Sequence, residues 1–163
     1  MSSLPSANAA DPENTLLIEL ESGTVTVELL ADTAPKHVAR IKELAREGFY
    51  DGVVFHRVIP GFMAQTGDPT GTGRGGSERP DLEAEFSDIP FERGVLGMAR
   101  TNDPNSANSQ FFIMYEPATH LNGQYTVWGR VTDGMELVDQ IKKGEPPRDP
   151  DSMVSVKVAA DAR

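Results

Sequence analysis

The sequence contains no cysteine, which excludes disulfides, thiolate metal sites and a cysteine nucleophile. Long hydrophobic runs are also missing, and no segment approaches the roughly 20 apolar residues of a membrane-spanning helix. Positive charge is scarce, since 15 lysines and arginines stand against 25 acidic residues and give a formal net charge of −10. This balance argues against a nucleic-acid-binding protein and against binding to an anionic membrane surface.

The start of the chain has no basic residue before Lys36. It therefore lacks the basic segment of a secretory signal and the arginines of a transit peptide. We expect a cytoplasmic protein, with the periplasm as the alternative location. The length of 163 residues fits one domain. We expect a flexible tail over residues 1–14 and a single, monomeric domain over residues 15–163.

Short strands dominate the pattern along the chain. Residues 15–21 and 24–30 predict two strands joined by a tight turn. An amphipathic helix follows, with Asp32 or Thr33 as its cap, Pro35 in its first turn and His37 exposed to solvent. A second helix is predicted over residues 135–143. The whole pattern of eight strands and two helices predicts a barrel or a sandwich, and periodicity does not decide between them.

The most informative segment lies near the middle of the chain. Residues 53–59 predict a strand, Pro60 and Gly61 a turn, and residues 62–66 a second strand. Arg57 lies between large apolar residues on one face of the first strand. Such an arginine is either an edge residue whose charge reaches water or a functional group, and this strand alone does not decide.

A loop rich in glycine and proline follows over residues 67–80. Gly71 to Gly76 match the G-x-G-x-x-G pattern of dinucleotide-binding proteins. That pattern needs a helix directly after it, so that the helix N-terminus meets the pyrophosphate. Pro80 blocks a helix there, and we therefore predict a loop that binds no nucleotide.

Two segments carry a recognisable signature, Phe55-His56-Arg57-Val58-Ile59-Pro60-Gly61-Phe62-Met63-Ala64-Gln65 and Ser109-Gln110-Phe111-Phe112-Ile113-Met114. They resemble the signature of the cyclophilin family of peptidyl-prolyl isomerases, and the similarity extends over residues 15–159. The resemblance implies a mainly β fold, a closed eight-stranded antiparallel β-barrel capped by two α-helices. It implies an enzyme that rotates X-Pro bonds in proline-containing segments of client proteins and so assists folding. No cofactor or metal is expected.

The resemblance also implies a site on the outside of the barrel. Phe111 alternates with Phe112, so we expect Phe111 in the core and Phe112 in the site. The catalytic positions implied by the motifs are Arg57, Phe62, Gln65 and Phe112. The implied substrate-binding positions are Met63, Ala99, Arg100, Thr101, Gln110, His120, Leu121 and Tyr125.

Two residues depart from the pattern of many family members. His120 stands where many members have the tryptophan associated with binding of cyclosporin, and Tyr125 stands where many have a histidine. The loop after Thr101 is one residue longer than in the family. The resemblance therefore implies ordinary catalysis together with weak cyclosporin binding.

Two other function classes compete with isomerisation, a peptide-binding module and a hydrolase. A module of the same fold could bind proline-containing peptides without turnover, but such a binder does not need the donor that Arg57 offers to the amide nitrogen. A hydrolase is disfavoured, because His37, His56 and His120 have neither G-x-S-x-G nor zinc-ligand spacing near them. Isomerisation is therefore the leading hypothesis.

Overall fold

The computed structural model describes residues 11–162. The two helices are α1 (Pro35–Arg46) and α2 (Met135–Asp139), and short 3-10 helices occupy Pro12–Asn14, Thr119–Leu121 and Ala159–Asp161. The strands are β1 (Thr15–Leu20), β2 (Gly23–Leu29), β3 (Arg57–Ile59), β4 (Met63–Thr66), β5 (Val95–Met98), β6 (Phe111–Met114), β7 (Val127–Asp133) and β8 (Ser155–Val158).

The strands form a single sheet in the order β3-β4-β6-β5-β7-β2-β1-β8, and every strand pairs antiparallel with its neighbours. The predicted mainly β fold with eight antiparallel strands and two helices is confirmed. Within residues 11–162, the end strands β3 and β8 share no ladder, and the segments before them meet in one bridge between Val54 and Ser152. The sheet is thus curled and open. The expected closed barrel is not clearly formed.

One large apolar cluster, the main core, explains why the sheet is curled. Val58 of β3 and Val156 of β8 come from opposite ends of the sheet, yet both are buried in the same cluster. Val38 and Ile41 of α1 belong to that cluster as well. Burial of apolar surface from the helix and from both ends of the sheet therefore stabilises the curled shape.

Strands β4, β5 and β6 are buried on both faces. Phe111 and Ile113 of β6 belong to the main core, whereas Phe112 and Met114 belong to a second apolar cluster on the outer face. The expected core position of Phe111 is thus confirmed. Because both faces are covered, β6 reads as a continuous apolar run in the sequence instead of an alternating pattern.

The N-terminus of α1 is capped by a carboxylate from a distant loop. Glu85 accepts hydrogen bonds from the backbone N–H groups of Lys36 at 3.2 Å and His37 at 2.9 Å. The His37 ring is fully buried, with its Nδ1 atom 2.6 Å from Glu85. The predictions of a local cap at Asp32 or Thr33 and of an exposed His37 were wrong, because the loop covers this end of the helix and supplies the acceptor.

The predicted N-terminal tail lies mostly outside the described residues, which begin at residue 11. Its last part, Pro12–Asn14, forms a 3-10 helix, and Glu13 lies 2.5 Å from the Lys42 amine and 3.0 Å from the Arg46 guanidinium. The folded part of the chain thus begins before β1. None of the helices in residues 11–162 has the length and apolar character needed to cross a bilayer.

The glycine-rich loop folds around the buried carboxylate of Asp68. One carboxylate oxygen accepts from the backbone N–H and the hydroxyl of Thr70, each at 2.8 Å. The other accepts from the N–H groups of Gly73 at 2.7 Å and Gly75 at 3.0 Å. Burial alone would raise the pKa of Asp68, but the hydrogen bonds from Gly75, Thr70 and Gly73 outweigh it and hold that pKa well below its usual range. The loop amides therefore bind the protein's own carboxylate.

We predict that Asp68→Asn lowers the free energy of unfolding at pH 7 by about 2–3 kcal/mol, because an amide group faces donors that need an acceptor. An unfolded aspartate has a pKa of about 3.9. Since the folded pKa is lower, the carboxylate stabilises fully above that value and less as the pH falls towards the folded pKa. Urea unfolding between pH 7 and pH 3 should show the gap between variant and wild type closing below about pH 4.

Asp88→Asn provides the control, since Asp88 is exposed. It should leave the free energy of unfolding unchanged to within about 0.5 kcal/mol at every pH. An equal pH dependence for both variants would contradict the structural role of Asp68.

We predict that Gly67→Ala destabilises the fold by at least about 2 kcal/mol. Gly67 has φ +99°, and an added Cβ would stand 2.4 Å from the Ser109 carbonyl oxygen. Gly123→Ala is the matched control, because Gly123 also has positive φ, +71°, with open space around an added Cβ. The control should cost only about 1 kcal/mol in denaturant unfolding, and equal costs would mean that the contact with Ser109 relaxes freely.

Candidate active site

An apolar cavity of about 140 Å³ opens on the outer face of the sheet. It lies where β3, β4 and β6 meet the loops that follow β5 and precede β7. Every described residue that lines it is one that the sequence motifs predicted for the site. The lining consists of Arg57, Phe62, Met63, Gln65, Ala99, Arg100, Phe112, Leu121 and Tyr125.

A line of polar side chains runs from Arg57 along one side of this cavity. Arg57 and Gln65 are direct partners in the β3–β4 pairing, and the guanidinium Nη1 donates to the Gln65 side-chain oxygen at 3.3 Å. Gln65 in turn donates to Gln110 at 2.9 Å. Gln110 donates to the carbonyl oxygens of Gly73 at 3.0 Å and Gly75 at 2.9 Å. The orientation of the guanidinium is thus tied to the glycine-rich loop.

Two aromatic rings of the cavity lining, Phe112 and Tyr125, pack against each other, and the ring of Phe91 supports them from behind. Phe112 stacks on Phe91 with ring centroids 5.8 Å apart, and Tyr125 meets Phe112 edge-on at 5.7 Å. Both phenylalanine rings lie against the backbone of Gly97, where an added Cβ would stand 2.6 Å and 2.7 Å from their ring atoms. Phe91 was not among the predicted site residues, because it lies outside both motifs and reaches the site only through packing.

The Arg100 side chain closes another side. Its guanidinium lies 4.4 Å from the centroid of the Tyr125 ring, within the range of a cation–π contact. It also donates to the backbone oxygen of Gln124, at 3.0 Å and 2.6 Å, and to that of Thr101 at 2.8 Å. Arg100 therefore connects the loop after β5 to the segment before β7 and holds Tyr125 in place.

A larger cavity of about 560 Å³ adjoins the first and shares part of its lining. The predicted residues Thr101 and Gln110 lie here. His120 lines neither cavity, but its ring centroid is 6.0 Å from that of Phe62, at the rim of the smaller one. The residues common to both cavities are Gln65, Ala99 and Arg100.

His56 is buried below the glycine-rich loop, next to Gly73, and lines neither cavity. Burial lowers its pKa, and this effect outweighs the opposite influence of the Asp68 carboxylate. The imidazole is therefore neutral at pH 7 and packs as part of the support for the loop.

Comparisons with known proteins agree with this geometry. The family model for cyclophilin type peptidyl-prolyl cis-trans isomerase/CLD matches residues 15–159. A Brucella suis protein described as a "probable peptidyl-prolyl cis-trans isomerase" is 54% identical, over 96% of this chain and 88% of its own length. Peptidyl-prolyl cis-trans isomerase B of Bacillus subtilis is 46% identical, over 77% of this chain and 89% of its own.

Solved structures show the same fold. A cyclophilin from Hirschia baltica superposes with a TM-score of 0.86 and 32% identity, covering 93% of this chain and 76% of its own. A cyclophilin type isomerase from Cryptosporidium parvum, determined in the presence of the dipeptide Ala-Pro, gives a TM-score of 0.82 and 31% identity, covering 88% and 98%. This chain belongs to the cyclophilin-type peptidyl-prolyl cis-trans isomerases, the enzymes that catalyse rotation about X-Pro peptide bonds.

Proposed function

We propose that Arg57 is the catalytic donor of this isomerase and that the apolar cavity beside it holds the proline ring of a flexible client segment. The observation that carries the proposal is the placement of the guanidinium. Arg57 lies at the edge of an apolar cavity, and the contact with Gln65 uses one of its N–H groups. An arginine has five such groups, so others remain for a ligand.

The chemistry of X-Pro rotation explains why an arginine is suitable. The barrier of about 18–20 kcal/mol comes mostly from amide resonance, which is lost in the twisted transition state. The proline nitrogen then regains a lone pair and accepts a hydrogen bond that the planar amide does not accept. A donor aimed at this nitrogen binds the transition state more tightly than the ground state, which raises the rate. Arginine offers its N–H groups in a rigid planar fork, which suits a donor that must be aimed at a single atom.

The cavity supplies the anchor against which the preceding residue rotates. Its apolar lining from Phe62, Met63, Phe112 and Leu121 matches the hydrocarbon ring of proline. Gln65 and Gln110, together with the backbone around Ala99 to Thr101, offer hydrogen bonds to the flanking peptide groups. The isomerase from Cryptosporidium parvum was crystallised with Ala-Pro, and we expect this chain to take the same class of ligand.

Further features belong to the same proposal. Rotation makes and breaks no covalent bond, so we propose catalysis without a cofactor. We further propose that the protein is a monomer and is located in the cytoplasm. We also propose a barrel closed in solution. Three backbone hydrogen bonds between the segments before β3 and β8 support closure. They run from Phe55 N–H to the Asp151 oxygen and from Met153 N–H to the Val53 oxygen, each at 2.9 Å, and from Gly52 N–H to the Met153 oxygen at 2.7 Å.

We predict that Arg57→Ala lowers kcat/KM by roughly 10²-fold or more, the scale of losing one preorganised donor, while the melting temperature stays unchanged. Line-shape NMR on an X-Pro peptide measures the exchange rate. Arg130→Ala is the matched control, because Arg130 is an exposed strand arginine that lines neither cavity. A folded Arg57→Ala protein with nearly full exchange rates would remove Arg57 from its proposed role.

We also propose that cyclosporin binds this protein weakly, because His120 offers less apolar area at the rim than an indole would. We predict that His120→Trp binds cyclosporin at least about tenfold more tightly, which is about 1.4 kcal/mol. Isothermal titration of the variant and the wild type gives the comparison.

The control for this experiment places an indole elsewhere on the surface. Val154 is 45% exposed and lines neither cavity, so Val154→Trp should leave the affinity for cyclosporin unchanged. Equal affinities for wild type and His120→Trp would show that the rim position contributes little.

A further inference from the structure

Arg57 has a second partner, on the side opposite Gln65. The guanidinium Nε donates to a carboxylate oxygen of Glu145 at 3.2 Å. The Glu145 side chain is 56% exposed and lines neither cavity. Glu145 therefore contacts the arginine from outside the cavity in which we propose that the peptide binds.

The backbone pairing explains why this carboxylate lies here. Val58 and Gly144 form an antiparallel bridge with two hydrogen bonds of 2.8 Å, from each N–H to the other's carbonyl oxygen. In antiparallel pairing, the residue before Val58 stands opposite the residue after Gly144. Arg57 and Glu145 are thus an oppositely charged cross-strand pair, and Arg57 has a polar partner directly across on each side.

The segment that carries Glu145 is itself fixed. Gly144 has φ +144°, and an added Cβ would stand 2.6 Å from the Cα of Pro147, so the chain is tightly folded at this point. The backbone N–H of Lys142 donates to the Asp151 carboxylate at 2.8 Å. The carboxylate of Glu145 is therefore presented from an anchored backbone.

We propose that Glu145 is a positioning residue for catalysis. It holds the Nε side of the Arg57 guanidinium while Gln65 holds Nη1, so that the remaining N–H groups face the cavity. This inference rests on the proposed role of Arg57. It assigns the Glu145 carboxylate the task of fixing the direction of the donor before the peptide binds.

Two opposite effects of the carboxylate can be separated. An exposed ion pair contributes little to folding, so stability does not report on Glu145. Orientation of a long, half-exposed side chain raises the rate, whereas partial neutralisation of its positive charge would lower it. The planar guanidinium delivers its hydrogen bonds only in a fixed fork geometry, and we therefore expect orientation to dominate.

The first test compares two substitutions at this position. Glu145→Ala should lower kcat/KM about three- to tenfold, mainly through kcat, because the lost orientation matters in the transition state. Glu145→Gln keeps an oxygen that can accept from Nε, and should stay within roughly twofold of the wild type. A faster Glu145→Ala enzyme, or equal losses for both variants, would overturn the proposal.

Glu28→Ala is the matched control. Glu28 and Arg130 are also cross-strand partners, their carboxylate and Nε are also 3.2 Å apart, and neither residue lines either of the two cavities described above. Its loss should leave kcat/KM unchanged. A decrease as large as that of Glu145→Ala would attribute the effect to a general loss of surface ion pairs and refute the specific role.

The second test is a double-mutant cycle. If Glu145 acts through Arg57, then Glu145→Ala in the Arg57→Ala background should change kcat/KM by less than roughly twofold. Independent, additive losses would refute the coupling while leaving the role of Arg57 intact. Nearly full activity of Arg57→Ala alone would instead refute the proposed role of Arg57, so the two failures are distinguishable.

Discussion

Burial of β4, β5 and β6 on both faces is the constraint on which the site depends. The inner faces of these strands contribute to the main core, and the outer faces of β4 and β6 line the cavity. A shift of one residue in pairing would exchange Phe111 and Phe112 and so exchange core and site. The packing that stabilises the fold therefore also sets the geometry of the cavity.

The polar groups lie at the edge of this apolar region, where water still reaches them. Arg57 is carried by the end strand of the sheet, and its side chain is 44% exposed. Its direction is therefore set by neighbours on both sides, Gln65 across one pairing and Glu145 across the other. Gln65 is connected in turn to the glycine-rich loop, whose path is set by the buried Asp68. Catalysis without a nucleophile demands this kind of geometric control, because the only contribution of the protein is the placement of its groups.

The strands and helices could be predicted because periodicity and turn residues are local signals. The lining of the smaller cavity came from the family resemblance instead, since Ala99, Leu121 and Tyr125 lie outside the two contiguous motifs. Alternation along β6 was enough to separate Phe111 from Phe112. The cap that Glu85 gives to α1 and the contacts of Phe91 depend on residues far apart in the chain, and no periodic pattern reports them. The short bridge that places Glu145 opposite Arg57 has the same origin. The helix α2 is shorter than predicted and ends at Asp139.

Gly97 has a consequence for where this site can change. The rings of Phe91 and Phe112 occupy the volume that any side chain at this position would need. The backbone at Gly97 therefore leaves no room for a side chain behind the Phe112 ring, which lines the cavity. The loops around the rim are less constrained than Gly97, so a change in the cavity of this protein is more easily made there.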